Sequence, residues 1–194
     1  MPRIVVLATH NPGKVREIAA LLAEAPVELR SLRDYPGVAS PEETGATFAD
    51  NAALKAVAAS LGTGEWALAD DSGLEVDALD GGPGVRSARF PHEGVTDAER
   101  NRALLALLED VPDGRRTARF RCVAALADGE RVIGAWEGVC EGLILREPRG
   151  EHGFGFDPVF YVPEFGCAMA ELPTEVKNRI SHRARAFRAI EWPG

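Results

Sequence analysis

Ile4-Val5-Val6-Leu7-Ala8 is a continuous apolar run of strand length, and it limits the folds open to this chain more than any other stretch. A strand with one wet face alternates polar and apolar residues. A run without alternation reads as a strand covered on both faces, as in sheets flanked by helices. The loop Thr9-His10-Asn11-Pro12-Gly13 follows at once, and then Val15, Ile18, Ala19 and Leu22 recur at helical spacing. Val27 to Leu32 reads as a second strand, and Trp66-Ala67-Leu68 as a short buried one. Thr47 opens a second helix, with Asp50 as its capping partner and Leu54, Val57, Ala58 and Leu61 as the expected buried stripe. Thr96 opens a third, with Glu99 in the capping-box position and Leu104, Leu107, Leu108 and Val111 on the core side. Arg119 to Ala127 and Arg131 to Leu145 read as the strands of a hairpin turned at Asp128-Gly129-Glu130. Ser181 is placed to cap a last helix carrying Ala184, Phe187 and Ile190. Strand and helix alternating, then a hairpin, then a helical end, predict an α/β protein with a mixed sheet. No repeat or linker interrupts the 194 residues, which predicts one domain over 1–194.

The charge balance narrows the partners. A net charge of −8 argues against the broad basic surface that duplex nucleic acid needs. An anionic substrate would have to be met by local positive charge. Cys122, Cys140 and Cys167 fit no zinc spacing and read as small buried hydrophobes. No apolar run approaches a membrane span, and Met1-Pro2-Arg3-Ile4 leads straight into a strand, so a cytoplasmic location is expected.

Four further clusters and one pair of carboxylates can carry chemistry. Ala69-Asp70-Asp71-Ser72-Gly73 is expected where a strand ends and a loop begins. Two adjacent carboxylates raise one another's pKa, and a hard divalent cation such as Mg²⁺ relieves that repulsion. The same residues are also common turn formers. Thr9 to Lys14 join a strand to a helix start, where free backbone N–H groups and Lys14 would form an anion site. Glu42-Glu43-Thr44-Gly45 could swing a carboxylate toward Asp71, or be a solvated loop. In Gly153-Phe154-Gly155-Phe156-Asp157-Pro158, two aromatics among glycines suit a planar ring, with Asp157 as a hydrogen-bond acceptor; an aromatic-anchored turn is the alternative. Lys177-Asn178-Arg179-Ile180-Ser181-His182-Arg183 sets basic residues around a helix start, where the dipole repels cations unless something anionic compensates.

Taken together these segments resemble the inosine triphosphate pyrophosphatase family, over nearly the whole length from Ile4 to Phe187. Thr9-His10-Asn11-Pro12-Gly13-Lys14, Glu43-Thr44-Gly45, Ala69-Asp70-Asp71-Ser72-Gly73 and Gly82-Pro83-Gly84-Val85-Arg86-Ser87-Ala88-Arg89 carry the resemblance. Phe154-Gly155-Phe156-Asp157-Pro158 and Ile180-Ser181-His182-Arg183 complete it. The nearest branch is bacterial and acts on XTP, ITP and dITP. The resemblance implies an elongated mixed sheet between two lobes with the active site in the cleft, and a homodimer. It implies that Thr9, His10, Asn11, Pro12, Gly13 and Lys14 bind the triphosphate, and that Asp71 is both Mg²⁺ ligand and base. Asp70 and Glu43 would be nearby metal-site carboxylates, with Glu43 the second ligand. Ser72 would contact the substrate; Phe154, Gly155, Phe156 and Asp157 the base and sugar; Lys177 the phosphate or base. His182 and Arg183 would meet the purine's oxygen edge. Rival readings keep the same parts: a hydrolase of different base preference, or a nucleotide-binding regulator without turnover.

Overall fold

A computed structural model describes residues 2–193. The first strand, β1 (Arg3–Leu7), leads through Asn11 into α1 (Pro12–Leu21), and β2 (Val27–Ser31) follows. Next come α2 (Phe48–Thr63), β3 (Trp66–Val76), α3 (Asp97–Leu107), and the long strands β4 (Thr117–Asp128) and β5 (Arg131–Ile144). The chain closes with β6 (Phe160–Val162), β7 (Cys167–Ala168), α4 (Thr174–Ile180) and α5 (His182–Arg188). The strands form one seven-stranded sheet in the order β2-β1-β3-β4-β5-β6-β7. Strand β1 pairs in parallel with β2 and β3, whereas β6 is antiparallel to β5 and β7, so the expected mixed α/β sheet is present.

The chain divides into two compact units, and β3, β4 and β5 each run from one into the other. One unit takes the chain up to Asp71, Cys122–Gly138 and the chain from His182 on. Its core joins Val5 and Leu7 of β1, Ile18 and Leu22, Trp66 and Leu68 of β3, Leu126 and Phe187. The other takes Ser72–Arg121 and Val139–Ser181, and its core joins Leu74, Leu104, Leu108, Phe120, Phe156, Phe160 and Met169. Within it, the buried Arg116 donates to the carbonyls of Leu108, Ile144 and Leu145, tying the end of α3 to β5.

Helix α2 is the main departure from expectation. Leu54 and Leu61 are exposed, and the buried face is Phe48, Asn51, Ala52, Ala56, Ala59 and Ser60. Hydrophobic size marked the wrong stripe, because this helix buries a face of small residues. Val6, Ala67 and Ala69 are likewise buried and small, which suits a close approach of helix to sheet. Leu107 and Ala19 are exposed for a different reason: the neighbouring Leu104 and Leu108, and Ile18 and Leu22, already fill the core. The capping boxes at Thr47 and Thr96 form as expected, each hydroxyl accepting from the N–H three residues on. Thr47→Ala is expected to lower stability by about 1 kcal/mol, the scale of one lost cap, read from the urea midpoint; no change in midpoint would mean that Asp50 alone holds the helix start.

Candidate active site

Strand β3 continues to Val76, so Asp70 and Asp71 lie inside a strand and not at its end. They are 2 % and 5 % exposed. Successive strand residues face opposite ways, and this separates the two carboxylates. Asp70 shares a face with Trp66 and Leu68, on the side where α1 and α5 pack. Asp71 faces α2, whose Asn51 and Lys55 reach it. The expected repulsion between neighbours is thus largely avoided by the pleat.

Asp70 sits in a chain of charges. Its Oδ2 lies 3.0 Å from Lys14 Nζ and 3.1 Å from Arg183 Nη2. Arg183 in turn donates from Nη1 to Glu17 Oε2 at 2.6 Å. Burial works to raise the Asp70 carboxyl, but Lys14, Arg183 and Lys55 overcome it and hold this group far below the usual carboxylate range. Asp70 therefore stays ionised as a counter-charge and does not take up a proton.

Asp71 has the opposite balance. Its Oδ1 accepts from Lys55 Nζ at 2.9 Å, and its Oδ2 from the buried Asn51 Nδ2 at 3.2 Å. Burial raises its carboxyl above the ordinary value, Lys55 only partly offsets this, and the neighbouring charge of Glu43 adds to the rise. Lys55 also reaches Glu43 Oε1 at 2.8 Å. Burial alone would lower the Lys55 ammonium, but the carboxylates of Asp71, Asp70 and Glu43 outweigh it and raise it. Asn51 ties Asp71 to the loop that carries Glu43, since its Oδ1 accepts the Gly45 N–H at 2.8 Å. A Cβ on Gly45 would run into Asp50 and Asn51, so the loop carrying Glu43 needs glycine there.

Two carboxylate oxygens, from Glu43 and Asp71, converge on one cationic centre, the Lys55 ammonium. Hard oxygen donors around a point of positive charge are the ligand chemistry of Mg²⁺, whose remaining positions go to water and phosphate oxygens. The donor set fits such an ion, as two ligands and not as a full cage. Among the described residues no group of three or more His, Cys, Asp or Glu side chains could hold a metal on its own.

The first loop differs from the expected anion cradle. Asn11 Oδ1 accepts from the N–H groups of both Gly13 and Lys14, and the Asn11 N–H goes to Thr9 Oγ1. The cap thus occupies donors that were expected to be free, and Lys14 brings its positive charge to Asp70. Pro12 stands at the first helical position, and His10 is exposed with its carbonyl near Arg33.

In the second unit, Asp157 Oδ2 accepts from Lys177 Nζ at 2.6 Å and from the Phe154 N–H at 2.9 Å. Both charged residues are nearly fully buried, so they hold one another. Phe156 is part of the core, 6.3 Å from the Phe90 ring, whereas Phe154 is half-buried with Lys177 Nζ 4.9 Å from its ring centre. Of the two expected aromatics, Phe154 is the one that can offer a face. Gly155 lies between them, and Ser72 is half-buried within β3. His182 begins α5 and is buried, and Arg183 is 2 % exposed, its guanidinium given to Asp70 and Glu17 and not turned outward to a base edge.

Sequence reading missed Lys55, Asn51 and Glu17. Asn51 and Lys55 stand four apart, hence on one helix face, among the alanines that α2 buries. That pair of polar residues on a small-residue face was the available signal. Glu17 had none, since a lone acid on a first helix looks like solvated surface.

Comparison with known proteins points in one direction. The model of the Ham1 family matches residues 5–191. The dITP/XTP pyrophosphatase of Desulforamulus reducens is 57% identical over 184 residues, covering 95% of this chain and 92% of that protein. The dITP/XTP pyrophosphatase of Geobacillus kaustophilus is 53% identical over 187 residues, covering 96% and 92%. A solved HAM1 protein from Coxiella burnetii superposes with a TM-score of 0.88 at 44% identity, covering 96% of this chain and 95% of that one.

Proposed function

This chain belongs to the Ham1 family, and on that premise we propose how its residues carry out the family's reaction. The chain is a nucleoside triphosphate pyrophosphatase that hydrolyses non-standard purine nucleotides, XTP, ITP and dITP, clearing them from the nucleotide pool. Water adds to the α-phosphorus, the bond from that phosphorus to the bridging oxygen breaks, and the products are the nucleoside monophosphate and pyrophosphate.

The observation that carries the assignment of roles is the parting of two neighbouring carboxylates, Asp70 to Lys14 and Arg183 and Asp71 to Asn51 and Lys55. Titratable neighbours pushed apart in pKa mark out acid–base roles. Asp71, raised by burial, is the base that orients and deprotonates the attacking water. Asp70, held ionised between Lys14 and Arg183, fixes Lys14. Lys14, with Lys55, supplies the local positive charge that an overall acidic protein needs for a triphosphate. Glu43 and Asp71 would hold Mg²⁺. When bound, that ion neutralises phosphate charge and lowers the pKa of a coordinated water. Thr9 to Gly13 shape the approach to the phosphates. Asn11 would release the Gly13 and Lys14 N–H groups to them. Phe154 stacks on the base, Lys177 and Asp157 brace it from beneath, and Ser72 contacts the substrate. The reading further takes the enzyme as a cytoplasmic homodimer without nucleic-acid or membrane partners, and the net charge of −8 supports the lack of a nucleic-acid partner. Among the described residues no helix is long and apolar enough to cross a membrane.

Pyrophosphate release from ITP, XTP, ATP and GTP, each with Mg²⁺ and with EDTA, tests the reading. Release from ITP and XTP is expected, abolished by EDTA, with ATP and GTP nearly untouched. Equal turnover of all four would keep the chemistry and remove the base selectivity. Tight ITP binding with no release would make the chain a nucleotide-binding protein.

A further inference from the structure

The loop that carries Phe154 is gripped from α3. Asp97 Oδ2 accepts the Gly155 N–H at 2.7 Å, and Asn101 Nδ2 donates to the Gly155 carbonyl at 3.0 Å. Four residues apart on one helix, these two side chains meet both polar groups of a single residue. Gly155 lies at φ +65°, in the left-handed region that favours glycine, directly between the buried Phe156 and the half-buried Phe154. With Phe156 fixed in the core, the orientation of the backbone at Gly155 decides how the Phe154 ring stands.

The grip is itself braced. Arg100 ties Asp97 Oδ1 at 2.8 Å and donates to the carbonyls of Ala88 at 2.8 Å and Phe90 at 3.3 Å, which fastens the first turn of α3 to that segment. Asn101 is 3 % exposed, and among the described residues its Oδ1 has no hydrogen-bond partner. An amide buried with its acceptor unmet is a poor choice for packing alone, because buried polar atoms are normally satisfied. What its burial secures is the one bond to Gly155.

We propose that Asp97 and Asn101 form a clasp on Gly155 that sets the attitude of Phe154 toward the purine base. Both are positioning residues, since neither has to touch the nucleotide. The inference rests on the reading that Phe154 stacks on the base.

Isothermal titration of the full-length chain with IMP, and separately with pyrophosphate, tests it, with Phe154→Ala run in parallel. Asp97→Ala and Asn101→Asp each remove one bond of the clasp. They are expected to weaken IMP by about tenfold, the scale of ordering one loop side chain on binding, and to leave pyrophosphate within about twofold. Asp97→Asn keeps an acceptor for the Gly155 N–H and should restore most of the IMP affinity. Asp97 is 48 % exposed, so its variants carry the test even if Asn101→Asp does not fold. Equal weakening of both ligands would reduce the clasp to general scaffolding and overturn the proposal. Unchanged IMP affinity in the clasp variants, alongside a loss in Phe154→Ala, would overturn the clasp alone. No loss in Phe154→Ala would overturn the stacking reading and the clasp with it.

Discussion

Asp71→Asn is expected to lower kcat for ITP by about 10²–10⁴, the usual contribution of a positioned acid–base group. The substitution is close to isosteric. An amide oxygen can still accept from Lys55, while Asn51 stays fixed by the Gly45 N–H and loses its bond to the replaced oxygen, so the change falls on proton acceptance, charge and one hydrogen bond and not on shape. KM should move much less than kcat, because the group acts on the attacking water. Asp70→Asn makes the contrast. That carboxylate is held by Lys14 and Arg183 through its Oδ2, so its loss should show first in thermal stability, with kcat falling only as Lys14 loses its anchor. The single-turnover rate with saturating ITP checks both. Activity of Asp71→Asn within a few-fold of wild type would remove Asp71 as the base.

Arg183→Met should destabilise the chain by about 3–5 kcal/mol, the cost of removing one partner from a buried ion pair. The Asp70 side chain is fully buried, and Arg183 binds both it and Glu17 from α5. Methionine fills much of the volume but removes the guanidinium from which both Asp70 and Glu17 accept. For a chain of this length that loss corresponds to a fall in Tm of roughly 6–20 °C. Differential scanning calorimetry reads it, and the double variant with Asp70→Asn should lose less than the two single losses added together, since neutralising Asp70 removes the charge that Arg183 balances. A Tm shift under about 2 °C would show that the buried charges are not holding α5 to the sheet. A drop in ITP affinity without any loss of stability would instead return Arg183 to the purine edge.

Elements that announce themselves through local chemistry were legible in the sequence. The apolar run at Ile4 to Ala8, the capping boxes at Thr47 and Thr96 and the turn at Asp128-Gly129-Glu130 depend on neighbours within a few residues, and each formed where expected. The family, the mixed sheet and the reaction followed from short motifs in order, for the same reason.

The buried face of α2 was not legible, because a helix lined by alanine against small sheet residues reverses the rule that large apolar side chains mark the core. Nor was the division of labour between Asp70 and Asp71. The sequence set two equivalent carboxylates side by side; the pleat of β3 sent one to Lys14 and Arg183 and the other to Asn51 and Lys55. Sequence by itself determined which residue types are available and which local elements they form, since those depend on contacts a few positions apart. Only the tertiary structure decided that Arg183 turns inward to Asp70, 113 positions away in the chain, and that Asn101 reaches Gly155 across 54. Burial and charge then act on whatever the fold has brought together, and no spacing along the chain encodes that meeting.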